Sequence, residues 1–176
     1  MFTKNLTTKK SGKSSIYIDN QKLEKVKLNL GGTFSEKELK ISCKKLDGWK
    51  NVNELGYLNR NEINNVLKKS KAGLVILYPT TTYRHSLPVK MFEYMASGIP
   101  IICSNFKLWD SMIIKTYKCG IAVNPKNLNE ITDAISYIMN HSKESKEMGE
   151  RGRKAVIEKY NWHNEENKLF NLYKDL

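Results

Sequence analysis

Apolar and polar positions from residue 15 onward form short blocks of two alternating kinds. Runs rich in β-branched residues are separated by stretches with apolar residues at helical spacing, which is typical of a parallel sheet with crossover helices. Because each run is short and bounded by glycine, proline or polar residues, we predict an α/β protein. Strands are predicted over residues 16–18, 26–30, 51–55, 73–77, 100–103 and 120–123.

The helices predicted between these strands are delimited by residues that favour helix ends. Ser35 and Glu38 have the spacing of a capping box and predict a helix that continues to residue 46. Pro88 suits a first helical turn and Gly98 a C-terminal cap, so a helix is predicted over 88–97. Further helices are predicted over residues 61–70, 108–115, 131–139, 148–160 and 165–176.

The loops after the strands are the places where a ligand would bind, because the crevice of an open parallel sheet lies beyond the carboxyl ends of its strands. These loops are predicted at 31–33, 56–58, 78–86, 104–106 and 124–125. Gly31, Gly32 and Gly56 would let a ligand approach the backbone closely. A plain turn role explains Gly31 and Gly32 equally well.

The segment Ser86-Leu87-Pro88 leads into the predicted helix, whose free N–H groups and positive dipole end favour a phosphate. Lys90 and Glu93 lie on one polar stripe of that helix. Glu93 either accepts hydrogen bonds from two ribose hydroxyls or forms an ordinary i to i+3 ion pair with Lys90. Arg84 or Lys90 would neutralise the phosphates, although a solvated loop cation explains Arg84 as well.

Charge adds a preference for anionic partners without identifying them. The chain has 30 Lys and Arg against 18 Asp and Glu in 176 residues, a net charge of +12. Nucleic acid, acidic membranes and phosphorylated small molecules would all be attracted, and a Lys-rich solvated surface is the simplest explanation. The sequence has no helix-turn-helix, zinc-finger or aromatic RNA-binding signature, so no specific nucleic-acid partner is predicted.

The cysteines and the apolar runs favour a reducing, non-membrane environment. Cys43, Cys103 and Cys119 are odd in number and far apart, so neither a disulfide framework nor a metal site is predicted. The longest apolar runs, such as residues 99–103, are too short to cross a bilayer, and no export signal is recognisable. Residues 1–14 carry four lysines and no acid and are predicted to be a flexible basic tail. A cytoplasmic location is expected.

A longer motif resembles a known family. The sequence HSLPVKMFEYMASGIPII from His85, followed by Cys103-Ser104-Asn105, resembles the signature block of glycosyltransferase family four, of the group 1 type. The resemblance continues through residues 119–125, 148–153 and 160–162 and covers the chain from about residue 25 to its end. It implies the donor-binding half of a two-domain GT-B fold, a Rossmann-like doubly wound parallel sheet with C-terminal helices. Residues 15–176 would then form a nucleotide-sugar-binding domain.

The family resemblance assigns roles to individual positions. The family's signature has two glutamates eight positions apart, and the second, which binds the nucleotide ribose, matches Glu93. The first, which contacts the transferred sugar near the reacting carbon, is replaced by His85, whose imidazole differs in charge and reach. The base and ribose would lie near Gly56, Tyr57 and Glu93, with the diphosphate at the helix start after Ser86.

The resemblance also implies a reaction and leaves an alternative. The family transfers a hexose from a nucleotide-diphosphate sugar with retention and without an obligatory metal, here to a glycan or lipid-linked acceptor of capsule or lipopolysaccharide synthesis. The basic surface would suit the acidic inner face of the cytoplasmic membrane. The family's N-terminal acceptor domain and its first Gly-rich loop are expected to be absent or shortened, so a separate acceptor-domain chain is an expected partner. The alternative is a catalytically inactive nucleotide-binding or regulatory remnant.

Overall fold

The computed structural model describes residues 26–174, so the predicted tail and the predicted strand at 16–18 lie outside the described part. Strands and helices alternate along that part, as the sequence predicts. The strands are β1 Leu28–Gly31, β2 Val52–Gly56, β3 Gly73–Val75, β4 Ile101–Ser104 and β5 Gly120–Val123. The helices are α1 Lys37–Lys44, α2 Arg60–Lys69, α3 Thr81–Arg84, α4 Val89–Ala96, α5 Lys107–Trp109, α6 Leu128–Asn140, α7 Ser142–Glu158 and α8 Trp162–Lys174.

All strand pairs in the described part are parallel, which confirms the predicted fold class. β1 pairs with β2, and β3, β4 and β5 form a second ladder in that order. In this ladder Val75 is paired with Cys103, and Cys103 with Ala122. Helices α4 and α7 contact one side of the ladder and α6 contacts the other, so the ladder is wound on both faces.

The centre of the ladder is β4, although the continuous apolar run of residues 73–77 is the pattern expected of a central strand. All four residues of β4 are 0% exposed. Ile101 and Cys103 point into the apolar cluster beneath α4 and α7, and Ile102 points into the cluster beneath α6. β3 is an edge strand of this ladder and ends at Val75.

Several helix ends differ from the sequence prediction. The predicted capping box of Ser35 and Glu38 is wrong, because α1 begins at Lys37 with Glu36 as its N-cap and no side-chain cap. Ser35 thus lies one residue too early to reach the free N–H groups. A capping box occurs instead on α2, where the Asn59 side chain accepts from the Glu62 N–H at 3.0 Å and the Asn59 N–H donates to Glu62 at 2.7 Å.

The helix after the predicted site agrees more closely with expectation. Pro88 is the N-cap of α4, so the helix begins one residue after the predicted start at residue 88. Gly98 follows the C-cap with a φ of +71°, a left-handed conformation that favours glycine. The loop predicted over 78–87 contains the short helix α3. α7 begins six residues before the predicted 148, because its first turns lack apolar residues on which periodicity could be read.

Backbones approach closely where α7 crosses the end of α4. A Cβ atom at Gly149 would overlap the carbonyl oxygen of Gly98, and one at Gly152 would lie 3.2 Å from the Cys119 Cβ. Side chains at these positions would separate the helices that cover β4.

None of the described helices combines the length and hydropathy needed to cross a bilayer.

Gly149→Ala is expected to destabilise the protein by about 2 kcal/mol, because overpacking at a fixed backbone outweighs the higher helix propensity of alanine. Gly152→Ala is expected to lower the free energy of unfolding much less. Its added methyl group would lie 3.2 Å from the Cys119 Cβ and 3.4 Å or more from Met95. Thermal denaturation of both variants measures the difference. Equal stability of Gly149→Ala and the parent protein would show that α4 and α7 are not in such close contact.

Candidate functional site

A cleft of 790 Å³ opens at the carboxyl ends of β3, β4 and β5. Three loops line it, one from each strand, which is where a ligand of an open parallel sheet binds. The β3 loop contributes Pro79, Arg84 and His85, and the β5 loop contributes Asn124, Pro125 and Lys126. The β4 loop contributes the remaining residues: Asn105, Phe106, Lys107, Leu108 and Ser111.

One buried hydroxyl group supports the mouth of the cleft between β3 and β4. The β3–β4 ladder ends at the pair Val75 and Cys103. Beyond it, the fully buried Ser104 hydroxyl donates to the Leu77 carbonyl and accepts from the Leu77 N–H, both at 2.8 Å. A side chain thus replaces the backbone ladder at this point. The chain after β3 is free to turn away from β4, and the cleft begins there.

The loops after β4 and β5 are held together by hydrogen bonds. The Asn105 N–H donates to the Val123 carbonyl at 2.8 Å. The Asn124 N–H donates to the Glu130 carboxylate at 2.7 Å, and the Lys126 N–H donates to the Asn124 side-chain oxygen at 3.0 Å. These bonds fix the β4 and β5 sides of the cleft relative to each other.

Trp109 ties the β3 loop to the segment after β4. Its indole is 0% exposed and stacks at a tilt against Phe106, with ring centroids 4.7 Å apart. The indole N–H donates to the Ser86 carbonyl at 2.5 Å. Ser86 adjoins His85 and precedes the turn into α4, so this single bond positions both. Sequence analysis missed this role of Trp109, and the only signal was an aromatic pair three residues apart directly after a strand.

The predicted polar stripe of α4 is present and its carboxylate is accessible. Glu93 is exposed, whereas Lys90 is half-buried. Burial lowers the pKa of the Lys90 ammonium, and the negative charge of Glu93 opposes that shift. Glu93 is thus close enough to Lys90 to act on its charge, as an i to i+3 pair requires. The Glu93 carboxylate remains open to solvent and to a ligand.

The structure brings together some of the sequence-predicted site residues. Arg84 and His85 line the cleft. Ser86, Leu87 and Pro88 follow them directly, and α4 then carries Lys90 and Glu93 away from the cleft. Lys107, Ser111 and Lys126 also line the cleft but were not singled out from sequence. The predicted loops 104–106 and 124–125 end one residue before Lys107 and Lys126.

The predicted glycine residues lie on the other ladder, at the ends of β1 and β2. Gly31 is in register with Gly56, and the Gly32 N–H donates to the Gly56 carbonyl at 2.6 Å. Gly56 has a φ of +67°, and a Cβ atom added there would have no described atom within 4 Å. Tyr57 is 83% exposed. These residues form an open surface, and they do not line the 790 Å³ cleft.

The described residues contain no group of three His, Cys, Asp or Glu side chains that could hold a metal ion. The three cysteines are buried and free. Burial raises the pKa of the Cys119 thiol to about 11. The side chains available for chemistry at the cleft are therefore cationic, amide, hydroxyl and imidazole groups.

Comparison with sequence families and curated proteins gives one family and two distant relatives. The sequence model described as "Glycosyl transferases group 1" matches residues 16–155. The MMP alpha-(1->4)-mannosyltransferase of Mycolicibacterium hassiacum is 27% identical over 88 residues, 50% of this chain and 21% of the relative. The poly(ribitol-phosphate) alpha-N-acetylglucosaminyltransferase of Staphylococcus aureus is 28% identical over 97 residues, 55% of this chain and 20% of the relative. Each match thus spans about a fifth of the relative's length.

Solved structures with similar folds confirm the Rossmann-like α/β class. Sucrose-phosphate synthase from Thermosynechococcus elongatus has a TM-score of 0.68 at 19% identity, over 84% of this chain and 37% of that one. TarM has a TM-score of 0.67 at 24% identity, over 88% and 30%. Anabaena Alr3699/HepE, solved in complex with UDP, has a TM-score of 0.69 at 15% identity, over 86% and 41%.

Trp109→Phe is expected to destabilise the protein by about 2 kcal/mol, because it leaves the Ser86 carbonyl without its donor while keeping an aromatic ring. Trp162→Phe is the matched control, since Trp162 is 71% exposed on α8, and it is expected to change stability by less than about 0.5 kcal/mol. Denaturant titration measures both. Equal effects of the two substitutions would contradict the role given to the indole N–H.

Proposed function

The chain belongs to the glycosyl transferases group 1 family, and from that premise we propose that it binds a nucleotide-diphosphate sugar as the donor for hexosyl transfer. The observation that carries this proposal is the cleft at the ends of three parallel strands, whose β3 loop continues from His85 into α4. That arrangement suits a ligand with a charged middle and polar ends. The structural relative Alr3699/HepE was solved in complex with UDP, a nucleoside diphosphate.

The diphosphate is proposed to lie at the turn from His85 to Pro88. The free N–H groups at the start of α4 favour negative charge there. Arg84 lines the cleft beside this turn and supplies a guanidinium with a geometry suited to phosphate oxygens. Lys90, the second residue of α4, adds a second positive charge in the first turn of the helix. These groups would neutralise the diphosphate without a metal ion.

The ribose is proposed to lie against Glu93. A carboxylate on the exposed stripe of α4 accepts hydrogen bonds from two neighbouring hydroxyls, the role that acids have in dinucleotide-binding folds. The base would then extend toward the open surface at Gly56 and Tyr57. Gly31 and Gly32 are proposed to allow close approach of the ligand at the same surface.

The sugar is proposed to lie beside His85, within the cleft. In the transfer, the bond between the anomeric carbon and the diphosphate oxygen breaks, and a bond from that carbon to an acceptor oxygen forms on the same face. The departing diphosphate leaves with the electron pair of the broken bond and the negative charge that develops on it, and it takes up the proton that the acceptor hydroxyl loses. The cations and N–H groups near Pro88 would stabilise that charge, and positioning supplies much of the remaining rate enhancement.

The acceptor is proposed to be a glycan or lipid-linked molecule of the cell surface. One relative is named for transfer to poly(ribitol-phosphate), and the structural relative WaaG is described as involved in lipopolysaccharide biosynthesis. Because each match covers only about a fifth of the curated relative, we propose that a second domain or chain holds the acceptor over the cleft. The net charge of +12 supports a position at an acidic membrane face. Association with acidic vesicles that does not weaken when salt is added would contradict this position.

A second candidate is a nucleotide-binding module without transfer activity. The observation that favours it is His85, which lies in the cleft where the family signature has a glutamate. A module of this kind would bind the nucleoside diphosphate through the same α4 groups. Its affinity for a nucleotide sugar would be no higher than its affinity for the nucleoside diphosphate. This difference separates the two candidates.

Glu93→Gln is expected to weaken binding of uridine or guanosine diphosphate at least tenfold, about 1.4 kcal/mol, because the amide accepts ribose hydrogen bonds less strongly than a carboxylate. The 2′,3′-dideoxy nucleotide should bind the parent protein and Glu93→Gln almost equally, since the hydroxyls that Glu93 would contact are missing. Isothermal titration calorimetry measures all four affinities. Glu158→Gln, on the exposed side of α7, is the matched control.

Unchanged nucleotide affinity in Glu93→Gln, with a stability loss of at most about 0.5 kcal/mol, would mean that Glu93 serves only as an ion-pair partner of Lys90. A loss that is the same for the ribose and dideoxy nucleotides would place the nucleotide's charge, and not its ribose, near Glu93. Either result contradicts the proposed ribose contact.

His85→Ala is expected to weaken binding of the nucleotide sugar about fivefold, the worth of one hydrogen bond, while changing nucleoside diphosphate affinity less than twofold. The assay compares uridine and guanosine diphosphates with their glucose, N-acetylglucosamine and mannose derivatives. His163→Ala, on the exposed side of α8, is the matched control. No difference between sugar-bearing and sugar-free nucleotides would favour the module without transfer activity.

A further inference from the structure

The β4 and β5 side of the cleft is lined by Lys107, Lys126, Asn105, Asn124 and Ser111. We propose that this side binds an anionic group, a phosphate or a carboxylate, carried by the acceptor or by the transferred sugar. The location of the donor nucleotide follows the proposed function. The anion site itself depends only on the cleft's own side chains.

The charges on this side of the cleft are not neutralised within the described chain. Residues 26–174 contain no carboxylate among the cleft's lining residues and no ion pair to Lys107 or Lys126. Arg84 is likewise without an ion pair in this part of the chain. A cleft that collects three cations and no acid has a positive potential that attracts and holds anions.

The nearest acids on the supporting elements are already engaged. Glu130 accepts from the Asn124 N–H at 2.7 Å and from the Asn127 side-chain amide at 2.8 Å, one bond to each carboxylate oxygen. Asp110 pairs with Lys115 at 2.7 Å. Neither residue lines the cleft. Their hydrogen bonds and ion pair hold the carboxylates to the frame of the cleft, and the lysines remain available to a ligand.

The order of the strands separates this anion site from the proposed diphosphate. The turn from His85 to Pro88 is in the connection that follows β3, whereas Lys107 follows β4 and Lys126 follows β5. Because the ladder runs β3, β4, β5, Lys126 follows the strand that lies furthest from β3. A ligand that extends from the diphosphate past His85 reaches the lysines with its far end. That end is the transferred sugar or the acceptor, so the negative charge is assigned to one of them.

The backbone of this site is held in place by hydrogen bonds within and between its loops. The bond from Asn105 to Val123 joins the two loops, and the Asn124 side chain holds the Lys126 backbone. The Asn105 side chain, exposed at the loop end, makes no hydrogen bond with another described residue. Preorganised loops reduce the ordering cost of binding. The lysine heads remain solvated, so the expected affinity for a small anion is in the millimolar range, about 4 kcal/mol.

The test is a titration of the full chain with inorganic phosphate, followed through backbone amide shifts, before and after saturation with uridine diphosphate. Phosphate is expected to shift the amides of residues 105–108, 124 and 126 in both cases. The double variant Lys107→Gln with Lys126→Gln should weaken this binding at least fivefold and change uridine diphosphate affinity less than twofold. Lys68→Gln with Lys69→Gln removes the same charge from α2, outside the cleft, and should leave phosphate affinity within twofold.

Two further pairs of probes identify the source of the anion. Glycerol 3-phosphate against glycerol represents a phosphate-bearing acceptor, and glucuronate against glucose represents an acidic sugar. Binding of either charged probe, lost in the Lys107 and Lys126 double variant, supports the anion site and names its chemistry. Equal binding of the charged and uncharged probes overturns it.

Other outcomes also decide the matter. Phosphate affinity that is equal in the parent and the cleft double variant, or that falls equally in the α2 double variant, overturns the anion site. So does displacement of phosphate from residues 105–108 and 124–126 by uridine diphosphate, because the two sites would then be one. Phosphate binding at the lysines in a chain that binds neither uridine nor guanosine diphosphate would instead overturn the proposed function and leave the anion site standing.

Discussion

The burial of β4 on both faces is the constraint on which the rest of the structure depends. Its four residues have no exposed surface, and each large apolar side chain so buried contributes about 1.5 to 3 kcal/mol. Such burial requires helices on both sides, and the contact between Gly98 and Gly149 lets α7 and α4 cover one of them closely. A fully buried central strand also fixes where its two neighbours end. The carboxyl end of this ladder is consequently the place where three loops must meet.

The cleft at that end results from how the loops leave the ladder. Ser104 terminates the β3–β4 pairing with its hydroxyl, and Trp109 holds the returning chain at Ser86. Both residues are 0% exposed, so they act from within the core on groups that face solvent. The cleft therefore combines a rigid apolar base with charged and amide side chains at its surface. Membership in the glycosyl transferases group 1 family gives this arrangement its proposed ligand, an activated sugar.

Two positively charged regions lie at the carboxyl ends of the strands. The first is the start of α4 with Arg84 and Lys90, to which we assign the donor diphosphate. The second is the pair Lys107 and Lys126, to which we assign an anion on the sugar or acceptor. His85 also lines the cleft, with an imidazole in place of the glutamate of the family signature. The position of that glutamate thus shares the cleft with Arg84, Lys107 and Lys126.

Sequence alone predicts the alternation of strands and helices and the bounds of α4 to within one residue, and it leads to the proposed roles of Arg84, His85 and Glu93. These features depend on local chemistry: glycine and proline mark chain turns, and apolar spacing marks buried faces. The folded chain was needed to see that β4 is central, that Trp109 bonds to Ser86, and that Lys107 and Lys126 share a cleft with His85. Such relations join residues about 20 to 40 positions apart, and no local pattern encodes them because they depend on how strands are ordered in space.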